Sequence, residues 1–136
     1  MIVVLDTNIL ARGSISIGTA VAAIIAAWRA GLFTLVISTH ILDELTRTLA
    51  KPYFAERISP ATLAAYQSLL SLATLTPITV SLHRVATHPE DDLVLATAVS
   101  AAADYLVTRD RQLLKLGSYL GVAIVSPTEL LEQLSA

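Results

Sequence analysis

Short, nearly uncharged apolar runs recur along this chain, and most are followed by a segment with helical spacing. Val3-Val4-Leu5, Thr34 to Ile37, Ile78 to Val80, Tyr105 to Val107 and Val122 to Val125 are the runs. Read as strands, they are close to continuous in apolar residues and lack the strict alternation of a strand with one wet face, so each is expected to be covered on both sides. Between them, Thr19 to Arg29 reads as a helix with Gly31 just past its end. A second helix starts near Thr39, carries Ile41, Leu42, Leu45 and Leu49 on one stripe, and stops before Pro52. Ser59-Pro60 opens a third, with proline in its first turn. Pro89 begins a helix running to about Ala102, a short one covers Arg111 to Leu116, and a last one starts at Pro127. Strands alternating with helices in this way predict an α/β fold: a buried parallel sheet of about five strands between helical layers, α/β/α.

The 136 residues suit a single domain spanning 1–136. Although 54% of them are hydrophobic, no apolar run approaches the ~20 residues that cross a bilayer, and no membrane role is expected. The first residues lack the basic stretch that precedes the apolar core of a signal peptide, and the chain has no cysteine for a disulfide or a thiolate metal site. A cytoplasmic protein is the expectation. Nine basic residues against eleven acidic ones give a net charge of −2, which argues against a broad electrostatic nucleic-acid binder. That balance leaves room for a local site in which bound cations supply positive charge. So apolar a chain is also expected to have part of its surface covered by a partner, with Ala-, Ile- and Leu-rich TAVAAIIAAWRAGLF as the leading candidate.

In open parallel sheets, ligands bind beyond the carboxyl ends of the strands, where strand order reverses. Asp6 and Asp110 follow strands. Glu44 lies beside the apolar stripe of its helix, nearer the edge than Asp43, and Asp91 and Asp92 fall in a first helical turn. Each acid also has an ordinary structural reading. Asp6 and Asp110 stand where helix caps stand, Asp91 and Asp92 suit a helix dipole, and Thr87-x-x-Glu90 has capping-box spacing. Their convergence on one sheet edge is the harder fact to explain, because crowded carboxylates repel one another unless a cation neutralises them. An all-oxygen donor set without cysteine or paired histidine points to a hard divalent ion, Mg²⁺ or Mn²⁺, and such ions serve phosphoryl transfer. On this reading Asp6 is a metal ligand rather than a cap.

The segments VVLDTNIL, ISTHILDELTRTLAKP, DDLVLATAVSAAADYLVTRDRQLL and GVAIVSPTELL resemble the successive motifs of PIN-domain nucleases, and most of all the VapC-like branch of toxin–antitoxin toxins. The resemblance runs from Ile2 to Leu131. It implies a sheet ordered 3-2-1-4-5, a site of acids holding Mg²⁺ or Mn²⁺, and endonucleolytic cleavage of RNA. By the same resemblance, Asp6, Glu44 and Asp110 match three of the acids, and the remaining one falls on Asp91 or Asp92, with Asp91 favoured. Thr7 and Asn8 match a polar pair that supports the first Asp and contacts phosphate. Thr108 holds the hydroxyl position before the last acid. Ser38 matches a serine of the family and reads equally as the cap of its helix. The resemblance further implies a homodimer and a cognate antitoxin lying across the acidic groove. The alternative is a PIN-like module that binds RNA or protein without cutting.

The three histidines, His40, His83 and His88, are scattered and are not expected to act. Arg12, Arg47, Lys51, Arg109 and Arg111 are candidate phosphate contacts.

Overall fold

A computed structural model describes residues 1–135 of the chain. In chain order the elements are β1 (Ile2–Leu5), α1 (Thr7–Gly13), α2 (Ala20–Arg29), β2 (Thr34–Ile37), α3 (Thr39–Leu49), α4 (Pro52–Ala55), α5 (Pro60–Leu70) and β3 (Thr74–Leu75). They continue with α6 (Pro89–Ser100), β4 (Tyr105–Val107), α7 (Arg111–Leu116), β5 (Ser118–Tyr119), β6 (Val122–Val125) and α8 (Pro127–Ser135).

The sheet has six strands in the order β3-β2-β1-β4-β6-β5. Its five parallel strands reproduce the expected 3-2-1-4-5 order, and helices flank the sheet. β1 is the centre. Val3 pairs with Leu35 on one side and Tyr105 on the other, and Val3, Val4 and Leu5 are all buried. On the far side of β4, Leu106 pairs with Ile124 of β6. A sixth strand that the apolar runs do not announce, β5, folds back antiparallel on β6 with Tyr119 opposite Val122. Its two-residue turn, Leu120-Gly121, has positive φ at both positions, the geometry that matches the twist of a tight hairpin.

The third strand is not where the apolar run suggests. Ile78 to Val80 is irregular, and β3 is the exposed pair Thr74–Leu75. The Thr76 amide still bonds the Ile37 carbonyl over 2.9 Å, but Pro77 has no amide to continue the ladder. The Thr79 amide then turns to the Ser100 hydroxyl at the end of α6, 2.9 Å away. The short helix α4 is absent from the sequence reading, and α1 enters it only through the reading of Asp6 as a cap. The capping box is also relocated. α6 starts from His88 with no side-chain cap, whereas Ser126 and Glu129 at the start of α8 exchange bonds of 3.0 and 3.2 Å.

Helix α2 offers less free surface than its composition suggests. Val21, Ile24 and Ile25 are buried in the chain's own core, as is Phe33, and Trp28 is half-buried against it. α1 is held from below by Tyr66 of α5, whose hydroxyl donates to the Leu10 carbonyl over 2.6 Å. Burial pushes that phenol above its ordinary range. Gly13 completes the fit, since a Cβ there would lie 2.7 Å from the Tyr66 hydroxyl. Among the described residues no helix is long and apolar enough to cross a membrane.

Candidate active site

The strand order reverses between β1 and β4, and both strands deliver an acid just past their carboxyl ends. Asp6 is buried, and its amide continues the sheet by bonding the Val107 carbonyl over 2.9 Å. It occupies the N-cap position of α1, yet its side chain makes no capping bond. Oδ2 instead accepts a 2.7 Å bond from the Thr108 hydroxyl of the neighbouring segment. That hydroxyl in turn accepts from the Asp110 amide at 3.0 Å, so one fully buried threonine registers two acids. The ordinary reading of Asp6 as a side-chain cap therefore finds no bond in the structure.

Asp110 combines both readings. Its Oδ1 caps α7, accepting from the Gln112 and Leu113 amides at 2.9 and 3.0 Å, and among the described residues no bond engages Oδ2. Asp91 stands in the first turn of α6 and faces the same cleft. Burial, and next the charges of Asp6, Asp110 and Glu44, push its carboxyl up to about 6 against the pull of His88. Asp6 is raised as well, chiefly by burial and further by Glu44 and Asp110, although the Thr108 hydroxyl and the Thr7 amide partly offset this. The four acids thus share one electrostatic environment.

Asp92, named with Asp91 from the sequence, goes elsewhere. It is buried, and its two oxygens accept the amides of Arg84, Val85 and Ala86 at 3.0, 3.1 and 2.7 Å. It pins the loop before α6, in which Arg84 has a positive φ of 57°. Adjacent helical residues point about 100° apart, so only one of the pair can face the cleft.

The cleft, about 440 Å³ in volume, is lined by Asp6, Asp91 and Asp110 together with Asn8, Arg12, Arg109, Tyr53 and Phe54. Glu44 does not line it. Its Oε2 lies 3.3 Å from Nε2 of His40 one turn earlier, without hydrogen-bond alignment, and neither atom has another partner. Asp43 is exposed, as its place on the helix suggests. Thr7 turns inward, its buried hydroxyl unpartnered, while Asn8 is the member of the polar pair that reaches the cleft. Ser38 is buried as the cap of α3, accepting from the Ile41 amide at 3.3 Å and from the Thr97 hydroxyl at 2.8 Å. That second bond ties α3 to α6, and with them Glu44 to Asp91. Of the basic candidates, Arg12 and Arg109 line the cleft, and Arg47, Lys51 and Arg111 do not.

Sequence reasoning set His40 aside and passed over Thr97, Tyr53 and Phe54. Only His40 carried a legible sign, its spacing of four residues from Glu44 on one helix.

The donor set suits a hard divalent cation, being carboxylate oxygens whose mutual repulsion a cation would relieve. Among the described residues no three His, Asp or Glu side chains are gathered closely enough to enclose one ion. The two facts fit together for Mg²⁺, which is commonly held by one or two carboxylates while water and substrate phosphates fill its other positions.

Acids gathered at the reversal point of a parallel sheet, in a cleft that two arginines also line, define an α/β protein with an anionic centre. The chain belongs to the PIN domain family, whose profile matches residues 2–112. Members of that family are generally nucleases that use divalent metals. No curated protein matches the sequence. Among solved structures the chain is similar to one in VapBC2 from Rickettsia felis, solved bound to a DNA fragment from its promoter. The TM-score is 0.62 at 15% identity, covering 93% of this chain and 98% of that one, a likeness of fold.

Proposed function

We propose that the protein is a metal-dependent endoribonuclease that hydrolyses RNA phosphodiester bonds and serves as the toxin of a toxin–antitoxin pair. The observation that carries the reading is the set of four acids around the reversal point, in which Asp91 is pushed up to about 6 by burial and by the other three. Of the four, Asp6, Asp91 and Asp110 line the cleft, and one or two of them would hold Mg²⁺ or Mn²⁺ directly, with Glu44 acting on the ion from outside the cleft by its charge. The ion, when bound, supplies charge neutralisation at the phosphate and a water of lowered pKa. The chain's own residues set the frame for this. Thr108 orients Asp6 and Asp110 from a single oxygen, α7 fixes Asp110 through its amides, and Arg12 and Arg109, which line the cleft, would contact the phosphate backbone. Asn8 is at hand for a non-bridging phosphate oxygen.

The test is cleavage of RNA by the purified protein with Mg²⁺ or Mn²⁺. Activity should vanish in excess EDTA and in Asp6→Asn; cutting that persists in EDTA would sink the metal assignment. A second reading, a PIN-like module that binds RNA or protein without cutting, is favoured by the absence of any three acids gathered around one ion among the described residues. RNA binding without cleavage at any metal concentration would select it.

The partners follow from the same reading. A cognate antitoxin would lie across the groove and present a basic side chain to the acids. The protein would act in the cytoplasm as a homodimer, an assembly that light scattering at micromolar concentration tests. Leu72, just before β3, and Leu75, within it, are 75% and 60% exposed and better placed for such contacts than the largely covered α2.

A further inference from the structure

The cleft has one wall that neither metal chemistry nor phosphate binding uses. Pro52 starts α4 and leaves Tyr53 and Phe54 side by side on it, both lining the same cavity as Asp6, Asp91 and Asp110. Their rings meet edge to face, centroids 5.0 Å apart at 77°. Phe54 is half-buried against the core, whereas Tyr53 is 49% exposed. Arg57 fixes the exposed ring. Its guanidinium carbon lies 3.9 Å from the Tyr53 centroid, and its Nη1 donates to the Tyr53 carbonyl over 2.7 Å. Tyr53 is therefore braced by a cation over its ring and by an edge-to-face pair with Phe54, and still stands half exposed at the cleft.

A large aromatic ring fixed beside an anionic centre and two arginines is what a nucleobase needs once it has left its own stack. Every base has a π face, so such a ring accepts any base, but only a base that is not already covered by neighbours in a helix. We propose that Tyr53, braced by Arg57 and Phe54, is the stacking platform for an unpaired base next to the phosphate that the acids engage. The inference rests on the endoribonuclease reading for the identity of the strand, and binding can be measured apart from cleavage.

The probe is a short single-stranded oligoribonucleotide carrying 2-aminopurine at each position in turn, titrated in Mg²⁺ with the Asp6→Asn protein so that the strand stays whole. Stacking should quench the fluorophore at one position. Tyr53→Phe on that background should keep both quenching and affinity. Tyr53→Ala should lose the quench and bind about 5- to 150-fold more weakly, the range that one base–aromatic stack is worth. An abasic site at the quenched position should weaken binding to the same degree, with no further loss from Tyr53→Ala, and pairing the strand with its complement should remove the quench. No quench at any position, unchanged affinity in Tyr53→Ala, or equal losses on intact and abasic strands would each overturn the proposal. If the unaltered protein cuts no RNA while quenching depends on Tyr53, the nuclease reading fails and the platform stands. If it cuts RNA and binding ignores Tyr53, the reverse holds.

Discussion

Thr108 and Asp6 are joined by a 2.7 Å hydrogen bond between the segments that leave β4 and β1, and the same threonine oxygen receives the Asp110 amide. Thr108→Val keeps the shape and removes both bonds. A buried carboxylate that loses a donor costs about 1–3 kcal/mol, so the variant should melt lower by a corresponding amount. Because the lost bond favours the charged form, the acid side of the activity–pH profile should also move to higher pH. A variant with an unchanged profile would show that the hydroxyl matters only for packing.

Asp6→Asn separates site from scaffold. The side chain makes no helix-capping bond, and an amide oxygen can still accept from Thr108. Metal-free melting should therefore be equal to or higher than that of the parent, since one of several repelling charges is gone, while RNA cleavage is abolished. A large drop in melting temperature would restore Asp6 to a purely structural role.

The adjacent acids of α6 should part in opposite directions. Asp91→Asn is expected to cost activity and little stability, because Asp91 faces the cleft and the other acids. Asp92→Ala strips three amides of their acceptor and should destabilise the fold by about 2–4 kcal/mol. Asp92→Asn should cost less activity than Asp91→Asn. Thermal melts and cleavage rates on the same preparations decide, and the opposite ordering of rates would reverse the assignment.

The raised carboxyl of Asp91 sets a pH dependence for the metal-free protein. Its folded value of about 6 lies above the ordinary 3.8, so between these values the folded state holds more proton than the unfolded one. Its contribution to stability is full below pH ~4 and is lost as pH rises through ~6. Relative to Asp91→Asn, the parent should lose on the order of 1 kcal/mol across that window, a figure reduced for solvent screening at a half-buried site. Adding Mg²⁺ or Mn²⁺ at pH 7 should restore it, which melts with and without metal can check.

Gly13→Ala tests the support under α1. The new methyl would fall 2.7 Å from the Tyr66 hydroxyl, which is itself committed to the Leu10 carbonyl. A loss of about 1–3 kcal/mol is expected, and less than additive loss when Tyr66→Phe is combined with it.

What could be read in advance divides along physical lines. β1, β2, β4 and β6 were legible because a strand buried on both faces must be apolar throughout, and Asp6 and Asp110 stood out as the charges that end two such runs. β3 was not, because an edge pair such as Thr74–Leu75 is specified by its backbone bonds to β2 and by Pro77 rather than by hydrophobicity. The choice between Asp91 and Asp92 was open for a similar reason. Two identical side chains on one turn differ only in what the rest of the fold brings to them, and it is the amides of residues 84–86, distant in character from any motif, that claim Asp92. Tyr53 and Phe54 look like ordinary aromatics after a proline until the cleft is assembled around them.

The two borders of the sheet carry a consequence for how copies of this chain meet. β3 and β5 are each only two residues long, and β5 turns back on its neighbour through the Leu120-Gly121 hairpin. Neither border presents a row of free amides and carbonyls long enough to template another strand. A chain this rich in Val, Ile and Leu is thereby shielded from edge-to-edge growth into fibrils, and whatever association it undergoes must proceed through side chains rather than through edge backbone.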